Sequence, residues 1–490
     1  MINILTKLFF LMIGLTVHLL SSQTIEGTIV DINENPISYA NIQIAKTGIL
    51  SNEEGAFLVE LNKFKPTDSV KISYLGFQSL KFTVKHFTSK KYVLEEKVTE
   101  LSEVLLSKKK MNLEEVLSKI KENLADNYSD NHTKQQIFTR NSYSTTFKKF
   151  NFEFTKSTLL NKKQLKKTNE AIHKLINNSL NKPTTSFSEQ LSELYVAKDT
   201  SKLRVIKYIN LINKKDDRSQ EALSKLLLKA VVSQLDKKAT YKVKSGMFPV
   251  EDSLKVEDIK MYRDSLSMRP TKKYLVKTIN KYTFKKKSDL DFVTATKKYN
   301  YVLAGMDEYD DEMVYVITFK PKKSSAKFTG TMYVNAYDFA IVKVDFSYGK
   351  GKSGEGVNLK LLLGVKYREH TWNASVVYKK NVLDKYQLKF ISQKRGSYVY
   401  MSRSFKLKKN RANRSESKKI IKLDVLVEQN DINKKELFFI SSEELSKDNF
   451  NAIQQREKYK IHYVPKYSNG IWKGYNVLSP IQDIKNYKTK

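Results

Sequence analysis

Histidine and carboxylate side chains are the first candidates for chemistry, because they are the usual protein ligands of catalytic zinc when cysteine is absent. A zinc hydrolase holds them at fixed spacing on a helix or loop and leaves one coordination position for water. The sequence has no His-Glu-x-x-His motif, and no two histidines beyond the N-terminal segment lie within one helical turn. We therefore predict no metal site and no peptidase activity. The histidines concerned are His86, His132, His173, His370 and His462.

A glycine-rich segment and an acidic segment are the next candidates. Residues 349–356 contain Lys352-Ser353 among glycines, but a Walker A loop would need glycine at Phe346 and a helix after the loop. We predict a hairpin connection there. Residues 307–312 are the densest acidic cluster, but they lack the spacing and the central glycine of a calcium loop. We predict a solvated hairpin tip, and we assign no catalytic, cofactor-binding or metal-binding residue.

The composition excludes several classes of protein. The chain has 490 residues, no cysteine and a formal net charge of +36. Without cysteine it forms no disulfide, has no thiolate nucleophile and is not an acylated lipoprotein. Strongly basic chains commonly bind nucleic acid, but the export signal described next argues against that partner. Anionic lipid head groups or acidic glycans are the partners that remain for such a charge.

The N-terminus has the pattern of a secretory signal peptide. Lys7 is the only charged residue before Glu26, and an apolar run over residues 8–20 ends at Ser21-Ser22. This run is shorter than the roughly 20 residues that cross a membrane as a helix. We predict a signal peptide over residues 1–22, with an uncleaved anchor as the alternative.

Short alternating strands follow the signal peptide up to about residue 106. Ile25, Gly27 and Ile29 alternate with polar neighbours, and turns occur at Asn35-Pro36 and at residues 52–55. Strands of this length, spaced about 8–12 residues apart, are typical of an antiparallel sandwich.

Four motifs in this region resemble the carboxypeptidase-regulatory-like domain. They are Gly27-Thr28-Ile29-Val30-Asp31 with Pro36-Ile37-Ser38-Tyr39-Ala40-Asn41-Ile42, then Ser51-Asn52-Glu53-Glu54-Gly55-Ala56-Phe57, Ser73-Tyr74-Leu75-Gly76-Phe77 and Leu101-Ser102-Glu103-Val104. The resemblance implies a transthyretin-like β-sandwich of the Gram-negative envelope, without peptidase activity. Asn52 stands where that family commonly has aspartate, which weakens the case for a calcium ligand at that turn.

Helices are predicted after the sandwich. Asn112 and Glu115 form a capping-box pattern ahead of an apolar stripe. Residues 159–237 look mostly helical, and Ser219 is a candidate cap within them.

Longer strands return from Phe292 onward. Val342, Val344 and Phe346 share one face, with Lys343 on the opposite and wet face, and residues 357–363 also alternate. Residues 330–335 and 340–344 are similar to a half-barrel of the lipoprotein-carrier type.

The predicted fold is therefore multi-domain and mainly β with helices. It consists of an N-terminal transthyretin-like antiparallel β-sandwich, a helical segment, and an antiparallel half-barrel-like sheet covered by helices. The predicted boundaries are 1–22 for the signal peptide, 23–106 for the sandwich, 107–285 for a helix-rich region with some strand, 286–430 for the sheet and 431–490 for a C-terminal extension.

Two hypotheses for the function stay open at this point. The first is a non-enzymatic exported scaffold or binding protein of the periplasm, the periplasmic face of the outer membrane or the cell surface. Its partner would be an apolar ligand, a lipid, a glycan or an envelope protein, with an accessory role in outer-membrane transport as a further reading. The alternative is a hydrolase of cell-wall or dietary polymers, whose paired carboxylates are defined by their separation in space.

Overall fold

The structure is a computed structural model that describes residues 24–97, 112–128, 132–198, 200–211, 220–259, 264–284, 288–411, 413 and 415–487. The predicted signal peptide, the motif at Leu101–Val104 and the candidate cap Ser219 lie outside these residues. The chain divides into two compact units. The first comprises Met1–Leu105, Met306–Met313 and Tyr467–Asn486, and the second comprises Leu106–Gly305, Val314–Lys466 and Tyr487–Lys490.

The first unit contains a sandwich of two small sheets. Its strands are β1 (Thr24–Val30), β2 (Asn41–Ile44), β3 (Thr47–Leu50), β4 (Ala56–Glu60), β5 (Ser69–Ser73), β6 (Leu80–Thr83) and β7 (Lys91–Val93). One sheet has the order β4-β1-β7 and the other the order β3-β2-β5-β6. Ile29, Ile42 and Phe57 are fully buried between them. The predicted N-terminal sandwich is confirmed, with β1 and β7 paired in parallel.

A segment from the far end of the chain, residues 467–486, packs against the sandwich; we call it the C-terminal strap. It buries Trp472, Leu478 and Ile484. The side-chain amide of Asn52, itself fully buried, donates to the carbonyl oxygens of Ser479 (3.4 Å) and Pro480 (3.0 Å). The Asn52 side-chain oxygen accepts from the backbone N–H groups of residues 54 and 56 at 2.9 Å each. Asn52 therefore both closes its own turn and holds the strap.

The second unit is built on one open sheet. Eight of its strands are β8 (Thr133–Ser157), β9 (Thr184–Ala197), β10 (Thr200–Leu211), β11 (Thr240–Ser245), β12 (Phe248–Lys255), β14 (Tyr299–Tyr309), β15 (Glu312–Pro321) and β16 (Phe328–Asn335). The others are β17 (Ile341–Tyr348), β18 (Gly356–Leu359), β19 (Val365–Lys380), β20 (Tyr386–Lys409), β21 (Ile420–Glu444) and β23 (His462–Val464). The main path runs β14-β15-β16-β17-β19-β20-β21-β8-β9-β10-β23. A separate pair joins β13 (Ser265–Ser267) to β22 (Lys458–Lys460).

Helices cover one face of this sheet, as predicted. The helices of the second unit are α1 (Leu113–Asn127), α2 (Lys162–Asn177), α3 (Gln220–Val232), α4 (Met268–Asn280), α5 (Asp291–Thr294), α6 (Lys360–Leu363) and α7 (Lys447–Ala452). Ile176 of α2 and Leu227 of α3 pack on Phe154, Leu407 and Leu423 of three neighbouring strands. The predicted capping box at the start of α1 is present. Among the described helices, none is both long and apolar enough to span a membrane.

The prediction that residues 159–237 are mostly helical was wrong. This stretch contains α2 and α3, but also the long strands β9 and β10. Most residues of β9 are buried, on both of its faces. Because a strand buried on both faces loses its alternation of polar and apolar side chains, its sequence is easily read as helix.

Two further predictions from the sequence, a domain boundary and the end of a strand, were wrong. The boundary predicted between residues 430 and 431 falls inside β21, because the alternation of that strand continues to Glu444. The strand predicted over residues 357–363 ends at Leu359, where α6 begins and is closed by Gly364 at a φ of 63°. The other domain boundaries remain predictions.

Candidate functional site

The acidic residues 307–312 do form the tip of a hairpin, between β14 and β15. The tip is not simply solvated, because its carboxylates pair with lysines of the sandwich in the same unit. Asp311 contacts Lys71 at 2.7 Å and Lys81 at 3.2 Å, and Glu308 contacts Lys97 at 2.8 Å. These lysines hold the pKa of the Asp311 carboxyl below its usual value. Among the described residues, no group of histidine, aspartate and glutamate is arranged to hold a metal ion.

The structure brings a different set of polar side chains together on the helix-covered face of the large sheet. At its centre is Arg395 of β20, whose guanidinium lies 3.6 Å from the centre of the Trp372 ring. Arg395 contacts Asp289 and Glu369 at 3.9 Å each, through different nitrogens. Lys281 contacts Asp289 at 3.3 Å. We call these five residues the Arg395 cluster.

A β-bulge explains how Glu369 joins Trp372. Trp372 pairs with Arg395, and Glu369 pairs with Ser397, so His370 is the extra residue between them. Strict alternation along β19 would place Glu369 and Trp372 on opposite faces, because they are three residues apart. The bulge turns both toward Arg395, which is a common use of bulges near functional sites.

The glycine-rich residues 349–356 support the same cluster. They connect β17 to β18, but the predicted hairpin connection was wrong, because both strands pair with separate stretches of β19 and not with each other. The backbone N–H of Gly354 donates to the carbonyl oxygen of Glu369 at 3.0 Å. A Cβ atom at Gly354 would collide with the Tyr348 hydroxyl and the Glu369 carboxylate. The glycine therefore lets this loop lie directly over the hydrogen bond from the Tyr348 hydroxyl to Glu369, which is 2.6 Å long.

Aromatic side chains form the floor beneath the cluster. Phe346 packs on Phe292 and Phe328, with ring centres 5.2 and 5.1 Å apart. Phe328 in turn contacts the edge of Trp372 at 5.6 Å. Because these rings are buried and rigid, they fix the position of the charged groups above them.

Burial changes the acid–base properties of the groups around Arg395. It raises the pKa of the Asp289 carboxyl, against the opposing effects of Lys281 and Arg395. Lys435 of β21 pairs across the strands with Gln393 and lies 3.6 Å from the centre of the Tyr274 ring. Burial first, and the Arg395 charge second, lower the pKa of the Lys435 amine to about 7.

The cluster presents buried hydrogen-bond donors without acceptors. The Nε and Nη2 atoms of Arg395 are buried and have no hydrogen-bond partner among the described residues, and the same holds for the Oδ2 acceptor of Asp289. The indole nitrogen of Trp372 also makes no hydrogen bond of good geometry, although it interacts with the Tyr282 hydroxyl. Buried donors in this condition are uncommon in folded proteins and call for an explanation. The Arg395 side chain is 27% exposed through its other atoms, so a ligand reaches the buried donors only when the side chains over them move. The arrangement suits a ligand with oxygen acceptors, such as a carboxylate or a sugar.

Replacing Lys435 with methionine should stabilise the protein at pH 7 by about 1–4 kcal/mol, because it removes a buried amine that is costly to charge. In the folded chain the amine has a pKa of about 7, below the roughly 10.4 of an unfolded lysine. Between these pH values the unfolded chain binds more protons, so the original chain gains stability as the pH rises. The advantage of Lys435→Met should therefore shrink between pH 7 and pH 10 in urea denaturation.

The exposed neighbour Lys394 provides the control for this prediction. Lys394→Met should change the free energy of unfolding little, and equally at both pH values. A stability gain for Lys435→Met that does not depend on pH would contradict the assignment of a buried neutral amine.

Comparison with known proteins identifies the first unit's sandwich. Residues 25–106 match the model of the CarboxypepD_reg-like domain family, in agreement with the resemblance seen in the sequence. The match covers less than half of the chain. No curated protein sequence matches the chain.

Several solved structures align with part of this chain. One, described as an outer membrane lipoprotein-sorting protein domain from Vibrio parahaemolyticus, has 9% identity and a TM-score of 0.22, and the alignment covers 69% of this chain and 97% of that one. A DUF1329 family protein from Desulfovibrio piger has 10% identity and a TM-score of 0.20, with 70% and 99% covered. The Pseudomonas aeruginosa MucA/MucB complex has 7% identity and a TM-score of 0.16, with 71% and 99% covered.

Proposed function

We propose that this chain is a non-enzymatic binding protein of the bacterial envelope and that it holds an acidic glycan at the Arg395 cluster. The observation that carries the proposal is the set of buried donors on Arg395 and Trp372 that make no hydrogen bond of good geometry with the described residues. A uronic-acid sugar supplies a carboxylate for the guanidinium and hydroxyl oxygens for the indole N–H. The net charge of +36 favours the approach of such a polyanion.

Arg395→Gln should weaken binding of uronic-acid oligosaccharides to the full chain by roughly 10–100-fold, because a charge-assisted hydrogen bond contributes about 1.5–3 kcal/mol. Isothermal titration calorimetry measures this directly. Arg368→Gln is the matched control, since Arg368 is an exposed arginine on β19 outside the cluster. Equal affinities of the original chain and Arg395→Gln, or equal binding of neutral oligosaccharides, would overturn the proposal.

One observation favours a hydrolase as the second candidate. Asp289 and Glu369 flank one guanidinium, and the raised pKa of Asp289 suits a general acid. Against it, both carboxylates are held by cations or by Tyr348 rather than facing each other across open space. Release of reducing ends from the same oligosaccharides, abolished by Asp289→Asn, would favour the hydrolase over the binding protein.

A further inference from the structure

Two exposed apolar turns lie side by side next to β20 of the large sheet, where β19 begins and β11 ends. The first connects β11 to β12 and exposes Met247 (89%), Phe248 and Val250. The second is α6 with its flanks and exposes Leu361 (101%) and Leu362 (82%). We call residues 246–250 and 359–363 the apolar turns. Apolar side chains exposed to this extent in two neighbouring turns are typical of an interaction surface.

Arg403 of β20 forms hydrogen bonds with one end of each apolar turn. Its Nε and Nη2 atoms donate to the side-chain and backbone oxygens of Ser245 at 2.8 and 3.1 Å. Its Nη1 atom donates to the carbonyl oxygen of Leu363 at 2.9 Å. The backbone adds bonds from Gly246 to Ser404 and from Ser402 to Gly364. The apolar side chains are therefore presented on a braced support and not on a free loop.

A row of lysines crosses the sheet next to these turns. Lys244 of β11 pairs directly with Lys406 of β20, Lys406 pairs with Lys422 of β21, and Lys422 pairs with Lys156 of β8. Residues paired directly across strands point to the same face, where like charges repel. A row of four such lysines costs stability in the free protein, and a multivalent anionic surface would remove that cost. We call this row the lysine row.

The same face continues toward the second apolar turn with lysine and tyrosine. Lys366 pairs with Tyr400 across β19 and β20. The amine of Lys360, at the start of α6, lies 4.3 Å from the centre of the Tyr400 ring. Tyrosine and lysine are the residues that settle at the level of lipid head groups, beside apolar side chains that enter the acyl region.

Acidic residues on this face are fewer than the lysines. Asp424 and Glu153 form the next row of paired residues, and Glu428 pairs with Tyr400. Lys149 contacts Glu428 at 3.7 Å. The face therefore carries a net positive charge along the lysine row and beside α6.

We propose that the apolar turns and the lysine row dock this protein on an anionic lipid bilayer, with Leu361, Leu362 and Met247 entering the acyl region and the lysines contacting head groups. Charge complementarity selects the bilayer over an apolar protein partner, because six lysines accompany the exposed apolar side chains. The site is separate from the Arg395 cluster, so the inference goes beyond the proposed glycan binding. Apolar insertion combined with basic contacts is the usual way in which proteins bind membranes peripherally.

Vesicle co-sedimentation with the full chain tests this docking. Vesicles of phosphatidylcholine and phosphatidylglycerol in equal parts should bind the chain at least about tenfold more strongly than pure phosphatidylcholine, because each lysine near an anionic surface adds to the affinity. The double variant Leu361→Ser/Leu362→Ser should lose at least about tenfold in binding to the anionic vesicles. Both side chains are exposed in the free protein, so the variant should keep its fold.

Two matched controls separate docking from general stickiness. Val382→Ser/Leu383→Ser removes two exposed apolar side chains from the β19–β20 turn and should leave binding unchanged. Lys406→Gln/Lys422→Gln should weaken binding more than Lys162→Gln/Lys163→Gln, which removes the same charge from the exposed start of α2.

A direct test of insertion uses Leu361→Trp with lipids brominated in the acyl chains. The new indole should be quenched on binding, whereas the two natural tryptophans, Trp372 and Trp472, are buried and should not respond. Equal binding to neutral vesicles, unchanged binding of Leu361→Ser/Leu362→Ser, or absence of quenching would each overturn the proposal.

Discussion

Replacing Phe346 with alanine should lower the free energy of unfolding by about 3–5 kcal/mol, as large-to-small changes in packed cores do. Phe346 is 4% exposed and contacts the rings of Phe292 and Phe328, which are themselves buried. Because Phe292 also stacks on Phe319 at 4.1 Å, the surrounding rings cannot easily move in to fill the cavity. Urea midpoints of the full chain measure the effect.

Ser347, the next residue along β17, provides the control. It is only half-buried, and its hydroxyl donates one long hydrogen bond of 3.5 Å to the carbonyl oxygen of Tyr348, so Ser347→Ala should cost well under about 1 kcal/mol. A one-residue change in register would exchange the two results. Equal and small shifts for both variants would contradict the facing of β17 seen in the structure.

Asn52→Asp should destabilise the first unit by about 3–5 kcal/mol, as an uncompensated buried charge does. The new carboxylate can still accept from the backbone of residues 54 and 56, so the turn itself is preserved. It cannot donate to Ser479 and Pro480, and it places a negative charge against their carbonyl oxygens. Hydrogen exchange in the C-terminal strap should increase sharply, and that increase is the primary measurement.

The effect of Asn52→Asp should also depend on pH. Burial against carbonyl oxygens raises the pKa of the introduced carboxyl above its unfolded value of about 3.9. The penalty is therefore present above the raised pKa and disappears as the pH falls below the unfolded value, where the protonated acid can donate again. Asn469→Asp makes the same change at an exposed position of the strap and should alter exchange little. Unchanged exchange in Asn52→Asp would show that the amide does not hold the strap.

Sequence patterns correctly predicted the elements whose formation depends on residues that are close together in the sequence. The box formed by Asn112 and Glu115 needs only four neighbouring residues, and the structure contains it. Val342, Val344 and Phe346 follow a period of two and are buried together. Lys343 departs from this pattern. It was predicted to face solvent, but it is buried, and its amine lies 3.0 Å from the Asp345 carboxylate. Which face of a sheet is covered depends on segments that are distant in sequence.

The Arg395 cluster could not be predicted for the same reason. Its members come from β19, β20 and the segment after α4, and no spacing in the sequence connects them. The bulge at His370 also hides Glu369, because alternation assigns it to the other face. The available signal was that Tyr348, Gly354 and Glu369 lie in or close to the glycine-rich segment. That segment was interpreted instead by comparison with a phosphate-binding loop.

The pairing of β8 with β21 has a consequence for how this protein reaches its folded state. These strands hold each other over their whole length, yet Thr145 and its partner Asp431 are 286 residues apart in the chain. When a chain emerges from a ribosome or a translocation channel N-terminus first, β8 is available long before β21. Sheets that depend on such distant contacts form slowly. Until the partner strand is available, the unpaired strand edges can aggregate. We therefore expect assembly of the second unit to be post-translational and late, and a chain truncated before Ile420 to be a target for chaperones or proteases.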